Sequence, residues 1–322
     1  MIKREKMKKI WLIGAGPMAQ DYIKVIEALK TNFIVIGRGE ETAQECEKAT
    51  GCKVVIGGLD EFLDNKPEVC SHAIVSVGVE KLYQTTKELL NYGVKNILVE
   101  KPAGLHREEF EDLVQATREN DANVFVAYNR RFYASVLHAK KIIKEDGGVT
   151  SFNFEFTEWG HVIAPLKKAE GVKEKWFLGN STHVVDLAFF LGGNPKEICS
   201  FTNGNLEWHP TSSVFSGAGK SDKNALFSYH ANWESAGRWS VEMLTKEHKL
   251  ILRPMEKLQI QKRGAIAQDF VEEIDYALDD SYKPGLYLQT KNFLEENTDN
   301  FCAIEDQLKM YSNYAKMAGY SN

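Results

Sequence analysis

A chain of 322 residues, 43% hydrophobic and 26% charged, is long enough for two domains with cores of their own and has the composition of an ordinary soluble protein. Its net charge of −5 gives no electrostatic reason to expect nucleic acid as a partner. The five cysteines (Cys46, Cys52, Cys70, Cys199, Cys302) are odd in number and lack any Cys-x-x-Cys spacing, so neither a disulfide framework nor a metal site is expected and a reducing cytoplasm is.

Residues 1–9 are lysine-rich and precede the apolar run 10–15, which superficially resembles a signal peptide. That run is too short and is interrupted by Gly14, Gly16 and Pro17, and no segment reaches the roughly 20 apolar residues that span a bilayer. A cytoplasmic protein with a short basic tail and no membrane partner is expected. Apolar runs at 10–13, 33–36, 54–56, 72–77, 97–100 and 124–127 alternate with helical patterns at 18–29, 41–50, 60–64, 81–91 and 107–120. β-Branched runs separated by helices predict a doubly wound parallel sheet covered on both faces. After residue 127 the periodicity changes. Residues 151–159 alternate, with Phe152, Phe154 and Phe156 on one face, and strand-like runs follow at 197–202, 225–233, 239–244 and 249–252. This predicts a second α+β domain, 128–322, with a large and mostly antiparallel open sheet, after a nucleotide domain at 1–127. Helices at 134–145 and 182–191 would cover one face, and the chain reads as helical from residue 266 onward.

Gly14-Ala15-Gly16-Pro17-Met18-Ala19 follows the first strand and opens the first helix, which fits a dinucleotide fingerprint with alanine in the third glycine position. Gly14 would allow the tight turn and Gly16 the approach of a pyrophosphate to the backbone, with Pro17 and Met18 opening a helix whose N-terminus supplies free N–H groups. At the tip of the second strand stands Arg38, in Ile36-Gly37-Arg38-Gly39, without a carboxylate. An acid there would hold the ribose 2′-hydroxyl of NAD, whereas an arginine accommodates the 2′-phosphate of NADP. NADP is therefore the expected cofactor, with NAD the alternative. Ser76 and Val77 follow the fourth strand and should pass close to the cofactor by topology. Glu100, Lys101 and Pro102 close the fifth strand at the sheet edge where ligands of such folds bind.

Gly14-Ala15-Gly16, Val99-Glu100-Lys101-Pro102-Ala103-Gly104, Tyr128-Asn129-Arg130-Arg131-Phe132 and His183-Val184-Val185-Asp186 occur in this order over nearly the whole chain. Together they resemble the glucose–fructose oxidoreductase / inositol dehydrogenase / MocA family. The resemblance implies a Rossmann domain followed by an α+β domain, redox chemistry on a sugar, cyclitol or nucleotide sugar, and a homodimer or homotetramer built through the large sheet. It places Lys101 beside the reacting hydroxyl and makes His183 the acid or base, roles that an ammonium and an imidazole suit chemically. It also implies a cis bond between Lys101 and Pro102. Glu100, Lys101 and Asn129 are then cofactor contacts, while Lys101, Asn129, Arg130, Asn180 and His183 face the substrate.

One departure stands out. Family members often carry an aspartate four residues before the histidine, and here Gly179 takes that place and Ser181 that of a glycine. Asn180 can hydrogen-bond a sugar hydroxyl but is no base, and Asp186 either orients His183 or is structural. Trp159, His161 and Trp176 are candidates for sugar stacking, of which Trp176 is carried as a substrate contact, although isolated aromatics more often pack. Lys167, Lys168, Lys173 and Lys175 form a cationic loop that reads first as solvated. The expected function is an NAD(P)-dependent oxidoreductase for a sugar-type small molecule. The alternatives are a non-catalytic dinucleotide or sugar sensor on the same fold, and an imine or tetrapyrrole reductase.

Overall fold

The computed structural model describes residues 9–320, so residues 1–8 of the basic tail lie outside the described residues. The chain divides into two compact units, Met1–Tyr128 with Asp280–Leu308, and Asn129–Asp279 with Lys309–Asn322. The second half of the chain is thus shared between the units: a stretch after residue 279 packs with the first.

The first unit alternates β1 (Lys9–Ile13), α1 (Pro17–Ala28), β2 (Asn32–Ile36), α2 (Glu40–Thr50), β3 (Val54–Val55), α3 (Gly58–Asp64), β4 (His72–Val75), α4 (Leu82–Tyr92), β5 (Asn96–Val99), α5 (Arg107–Glu119) and β6 (Asn123–Val126). Strands β1 to β6 are parallel in the order β6-β5-β4-β1-β2-β3, so the order reverses between β1 and β4. The runs Ile10–Ile13 and His72–Val75 are buried throughout, because helices cover both faces and every side chain of the strand must be sheltered. Helix α1 buries Tyr22, Ile23 and Ile26 at helical spacing against this sheet.

In the second unit α6 (Ala134–Glu145) leads into β7 (Ser151–Glu155), the short α7 (Gly160–Ile163), a π-helical turn Phe177–Ser181, and α8 (Thr182–Gly192). Then come β8 (Pro195–Asn203), β9 (Val214–Ser221), β10 (Leu226–Asn232), β11 (Ser240–Leu244), β12 (His248–Leu252), β13 (Gln259–Lys262) and β14 (Asp269–Phe270). These form an eight-stranded sheet in the order β14-β13-β12-β11-β7-β10-β9-β8, antiparallel except for the parallel pair β7–β10. Alternation along β7 turns Phe152 and Phe154 inward, where they stack on Phe227 and Tyr229 of β10 with centroids 5.3 and 5.4 Å apart. Phe189 of α8 meets Phe154 edge-on at 5.5 Å and fixes the helix on that face.

The chain continues as α9 (Ala277–Ser281), α10 (Leu286–Leu294), β15 (Cys302–Ala303) and α11 (Ile304–Ala318). The expectation of helix from residue 266 onward is therefore corrected. Asp269 and Phe270 pair with Ile260 and Gln259, and Cys302–Ala303 adds an antiparallel edge to β6 in the first unit. Two-residue edge strands carry no readable periodicity. β9 was also missed, because glycine weakens a strand pattern. Here the glycines are required by packing: a Cβ at Gly219 would stand 2.0 Å from the Glu197 carbonyl oxygen and 2.5 Å from the Phe227 ring.

Candidate functional site

The glycine turn after β1 is shaped by the strand beside it. Gly14 has φ +122°, and a Cβ there would stand 2.2 Å from the Ser76 carbonyl oxygen. Its own N–H donates to the Ile36 carbonyl at 2.8 Å, which seats the turn between β2 and β4. Gly16 is different: it caps α1 with φ −76°, and a Cβ there would meet nothing within 4 Å. No packing of the chain demands glycine at 16, and what its absence of side chain preserves is open space before the helix. That helix begins at exposed Pro17 and half-buried Met18, lacks a side-chain cap and carries no acid in its first turn, so its free N–H groups and positive dipole end are offered outward. Ser76 is buried, and its hydroxyl has no hydrogen-bond partner among the described residues.

A cavity of about 270 Å³ runs along this edge, lined among others by Gly14, Ile36, Arg38, Gly58, Val77 and Lys81. The residues fit a dinucleotide: a turn that only glycine adopts, open room at a helix N-terminus, and an orphaned hydroxyl at the switch point. Arg38 stands at the tip of β2 with its Nη2 3.9 Å from Asp60 Oδ2, both side chains being exposed. Glu40 and Glu41 belong to the first turn of α2, where they complement its dipole.

Glu100 follows β5, and its N–H donates to the Val75 carbonyl at 2.9 Å. Its carboxylate is taken up by the protein, since the Tyr22 hydroxyl of α1 donates to Oε1 at 2.8 Å. Burial pushes the Glu100 carboxyl above its usual range, against the opposing influence of Lys101 and of the Tyr22 hydrogen bond. Lys101 is half-buried, and the Lys101–Pro102 bond is cis. The turn is held from behind, because Gln307 Nε2 donates to the Pro102 carbonyl at 3.2 Å and Tyr128 donates to Gln307 Oε1 at 3.1 Å.

The second unit gathers Asn129, Arg130, Asn180 and His183. Asn129 and Arg130 lie on a short helical turn, Asn129–Phe132, and Asn129 is buried and bonded to Tyr133, whose hydroxyl burial pushes up to about 12. Arg130 lies over the Trp239 ring at 4.8 Å and the Tyr133 ring at 5.9 Å. Its Nε is buried with no hydrogen-bond partner among the described residues. Burial lowers its pKa, while Glu158 and Glu256 are the carboxylates whose charge favours its protonation. The His183 ring, buried at the start of α8, lies 6.2 Å from the same indole.

Asn180 is engaged within the protein: its amide donates to Glu158 Oε1 at 2.9 Å, as does the Ser181 hydroxyl. Glu158 was missed in the sequence, and a signal was present. It shares the inward parity of Phe152, Phe154 and Phe156, where a charged residue needs a reason to be. Asp186 binds Arg131 through two bonds, Nε to Oδ2 at 2.8 Å and Nη2 to Oδ1 at 2.6 Å, which favours the structural reading of that carboxylate. Trp176 is drawn into packing: it meets Trp208 edge-on at 6.0 Å, and Trp208 stacks on Trp233. Trp159 is exposed, donates to the Gly237 carbonyl at 3.0 Å and carries Arg238 over its ring at 4.8 Å. His161 is exposed. In the lysine loop, Lys173 is tied to the Ala164 carbonyl at 2.6 Å and Lys175 lies over Tyr320 at 4.2 Å. No helix of the described residues is long and apolar enough to cross a membrane.

The scyllo-inositol 2-dehydrogenase (NADP(+)) IolW of Bacillus subtilis (strain 168) is 24% identical to this chain over 197 residues, 59% of this chain and 53% of that protein. The match thus spans about half the length of this curated relative. Among solved structures, a levoglucosan dehydrogenase in complex with NADH superposes with a TM-score of 0.77 at 16% identity, covering 97% of this chain and 96% of that one. The UDP-N-acetylglucosamine 3-dehydrogenase GnnA from Acidithiobacillus ferrooxidans superposes with a TM-score of 0.75 at 12% identity, covering 97% of each. At such identities the likeness shows a shared fold. The family model described as an oxidoreductase family with an NAD-binding Rossmann fold matches residues 8–128, the segment that carries the glycine turn, Arg38 and Lys101. Residues 8–128 belong to the glucose–fructose oxidoreductase / inositol dehydrogenase / MocA family.

Proposed function

We propose that this chain is an NAD(P)-dependent oxidoreductase that moves a hydride between the nicotinamide cofactor and a hydroxyl or carbonyl carbon of a sugar, cyclitol or nucleotide sugar. The observation that carries the proposal is the pair of glycines, Gly14 forced by the Ser76 carbonyl and Gly16 left before open space. The bound cofactor would supply or accept the hydride. Gly16 and Met18 would present backbone N–H groups to the pyrophosphate, while Gly14 forms the turn, Pro17 opens the helix and Ser76 and Val77 lie along its edge. By the family resemblance, Lys101 orients the substrate hydroxyl and stabilises negative charge developing on its oxygen, while the His183 imidazole holds the hydroxyl proton. We assign Glu100 a supporting part, since Tyr22 already claims its carboxylate.

NADP is the cofactor we favour, on Arg38 at the tip of β2 and the absence of a carboxylate there. The relative named as NADP-linked points the same way. A homodimer or homotetramer through the large sheet belongs to the same proposal, supported by outward-facing Phe201 (68% exposed) and Leu226 (62% exposed). Gly179 in place of the family's aspartate favours one competing reading, a sensor that binds without turnover.

The test is calorimetric titration of cofactor-free protein with NADPH and NADH side by side, followed by Lys101→Ala. Tight NADPH and weak NADH binding support the assignment, and affinity unchanged in Arg38→Ala removes Arg38 from it. Lys101→Ala should bind cofactor yet lose turnover, and full activity would refute its role. Binding of neither cofactor by folded protein would end the oxidoreductase reading, whereas binding without any absorbance change across a sugar screen would favour the sensor.

A further inference from the structure

A guanidinium carries five donors and cannot shed its charge at any ordinary pH, so a sheltered one is normally met by a carboxylate or by carbonyl oxygens. Arg131 shows the rule, gripped by Asp186 through two bonds. Arg130, its neighbour in sequence, breaks the rule: its Nε is buried and without a hydrogen-bond partner among the described residues. What surrounds it is aromatic. It lies over Trp239 at 4.8 Å and Tyr133 at 5.9 Å, and on the same indole rests Arg238, at 4.9 Å. The ring of His183 is 6.2 Å from that indole.

A guanidinium stacked on rings keeps its planar N–H edge free, and that edge matches the two coplanar oxygens of a carboxylate. The charge around it sets the same limit. Glu158 and Glu256 already act on Arg130, so the wall holds little excess positive charge. That suits a monoanion better than a phosphate dianion.

We propose that Arg130, with Trp239 and Arg238 beside it, receives a carboxylate of the substrate, so that the sugar handled at this wall is an acidic one, a uronic or aldonic acid or a conjugate of one. The inference rests on the oxidoreductase reading for the word substrate, while the binding site itself stands on the geometry of the second unit.

The experiment is calorimetric titration of the full chain with D-glucuronate, D-glucose and D-glucose 6-phosphate, in the presence and absence of NADPH. D-Glucuronate should bind at least about tenfold more tightly than the other two, the scale of a charge-assisted bidentate contact. Arg130→Gln should erase that advantage, so that glucuronate and glucose bind alike, and Arg130→Lys should restore only part of it, since the charge returns without the fork. Arg238→Gln, at an exposed position, should reduce the advantage even if Arg130→Gln fails to fold. Wild-type protein that binds glucuronate no better than glucose, or an advantage that survives Arg130→Gln, overturns the proposal, and preference for glucose 6-phosphate replaces carboxylate with phosphate. Loss of NADPH and NADH binding alone would sink the oxidoreductase reading and leave this site standing.

Discussion

Tyr22 reaches from helix α1 to the end of β5 and donates its hydroxyl to Glu100 Oε1 at 2.8 Å, with the phenol fully buried. The bond ties the helix that opens the nucleotide turn to the residue before Lys101. It also binds two groups that burial makes costly to ionise: the Tyr22 hydroxyl is pushed well above its usual range by burial and by Glu100, and the Glu100 carboxyl is raised by burial.

Tyr22→Phe should destabilise the chain by about 1–3 kcal/mol, because it leaves a sheltered carboxylate oxygen without its donor. The pH dependence has a definite sign. A carboxyl whose folded pKa exceeds its unfolded value binds protons more readily in the native state, so its contribution falls as pH rises from the unfolded pKa through the folded one. Removing Tyr22 takes away an influence that lowers the Glu100 pKa, which widens this window. Urea denaturation of both proteins at pH 5 and pH 8 should show the variant's deficit growing with pH. An equal deficit at both values would mean that Glu100 stays ionised without Tyr22.

Arg131 and Asp186 are paired with side chains only 12% and 4% exposed. Breaking such a pair leaves an uncompensated charge, so Asp186→Ala should cost about 3–5 kcal/mol. The double variant Arg131→Met with Asp186→Leu should recover much of that loss, since a sheltered pair is often replaceable by apolar groups of similar volume. Thermal and urea unfolding of the two proteins decide it. If the double variant is as unstable as the single one, the two residues act through separate partners and not as a pair.

The parallel half of this fold was readable because its strands are sheltered on both faces, which forces unbroken runs such as Ile10–Ile13 and His72–Val75. Alternation served as well for β7, where one face meets α8. The pattern failed at β9, where Gly217 and Gly219 are small to admit the rings of Tyr229 and Phe227, a demand visible only once the strands are paired. It failed again at β14 and β15, each two residues long. Around the site, the glycine turn and the Glu-Lys-Pro turn stood out from spacing alone. What spacing could not supply were partners distant in the chain: Arg131 for Asp186, 55 residues away, and Glu158 for Asn180 and Ser181. The departure at Gly179 was plain in the sequence, but that the buried Glu158 carboxylate, three residues past the end of β7, reaches Asn180 and Ser181 was not.

Asp146 Oδ2 accepts hydrogen bonds from Thr245 Oγ1 at 2.6 Å and His248 Nδ1 at 2.8 Å, pinning the β11–β12 hairpin to the end of α6. Burial alone would raise this carboxyl, yet the two donors hold it below its usual value. A depressed folded pKa contributes stability above the unfolded value, which is lost as pH falls through the folded one. Thr245→Val should therefore cost about 1–2 kcal/mol at neutral pH, with the pH-dependent part of that loss shrinking as pH falls through the depressed pKa of Asp146. Denaturation curves at pH 7 and pH 3 test this, and a loss that does not shrink in acid would assign the whole effect to the backbone bonds that Thr245 also accepts.

The two glycines of the nucleotide turn should separate under substitution, because they are glycine for different reasons. Gly14→Ala places a methyl 2.2 Å from a backbone oxygen at φ +122°, so the turn between β1 and α1 must distort and the protein should lose several kcal/mol of stability. Gly16→Ser meets nothing within 4 Å and sets a favourable capping hydroxyl at the start of α1, so stability should hold or rise by up to about 1 kcal/mol. In the proposed site the same side chain would fill the space for the pyrophosphate, and NADPH affinity should fall at least about tenfold. Differential scanning calorimetry paired with cofactor titration reads both effects on one sample. A Gly16→Ser protein that is stable and still binds NADPH at full strength would show that the open ground before α1 is not where the dinucleotide lies.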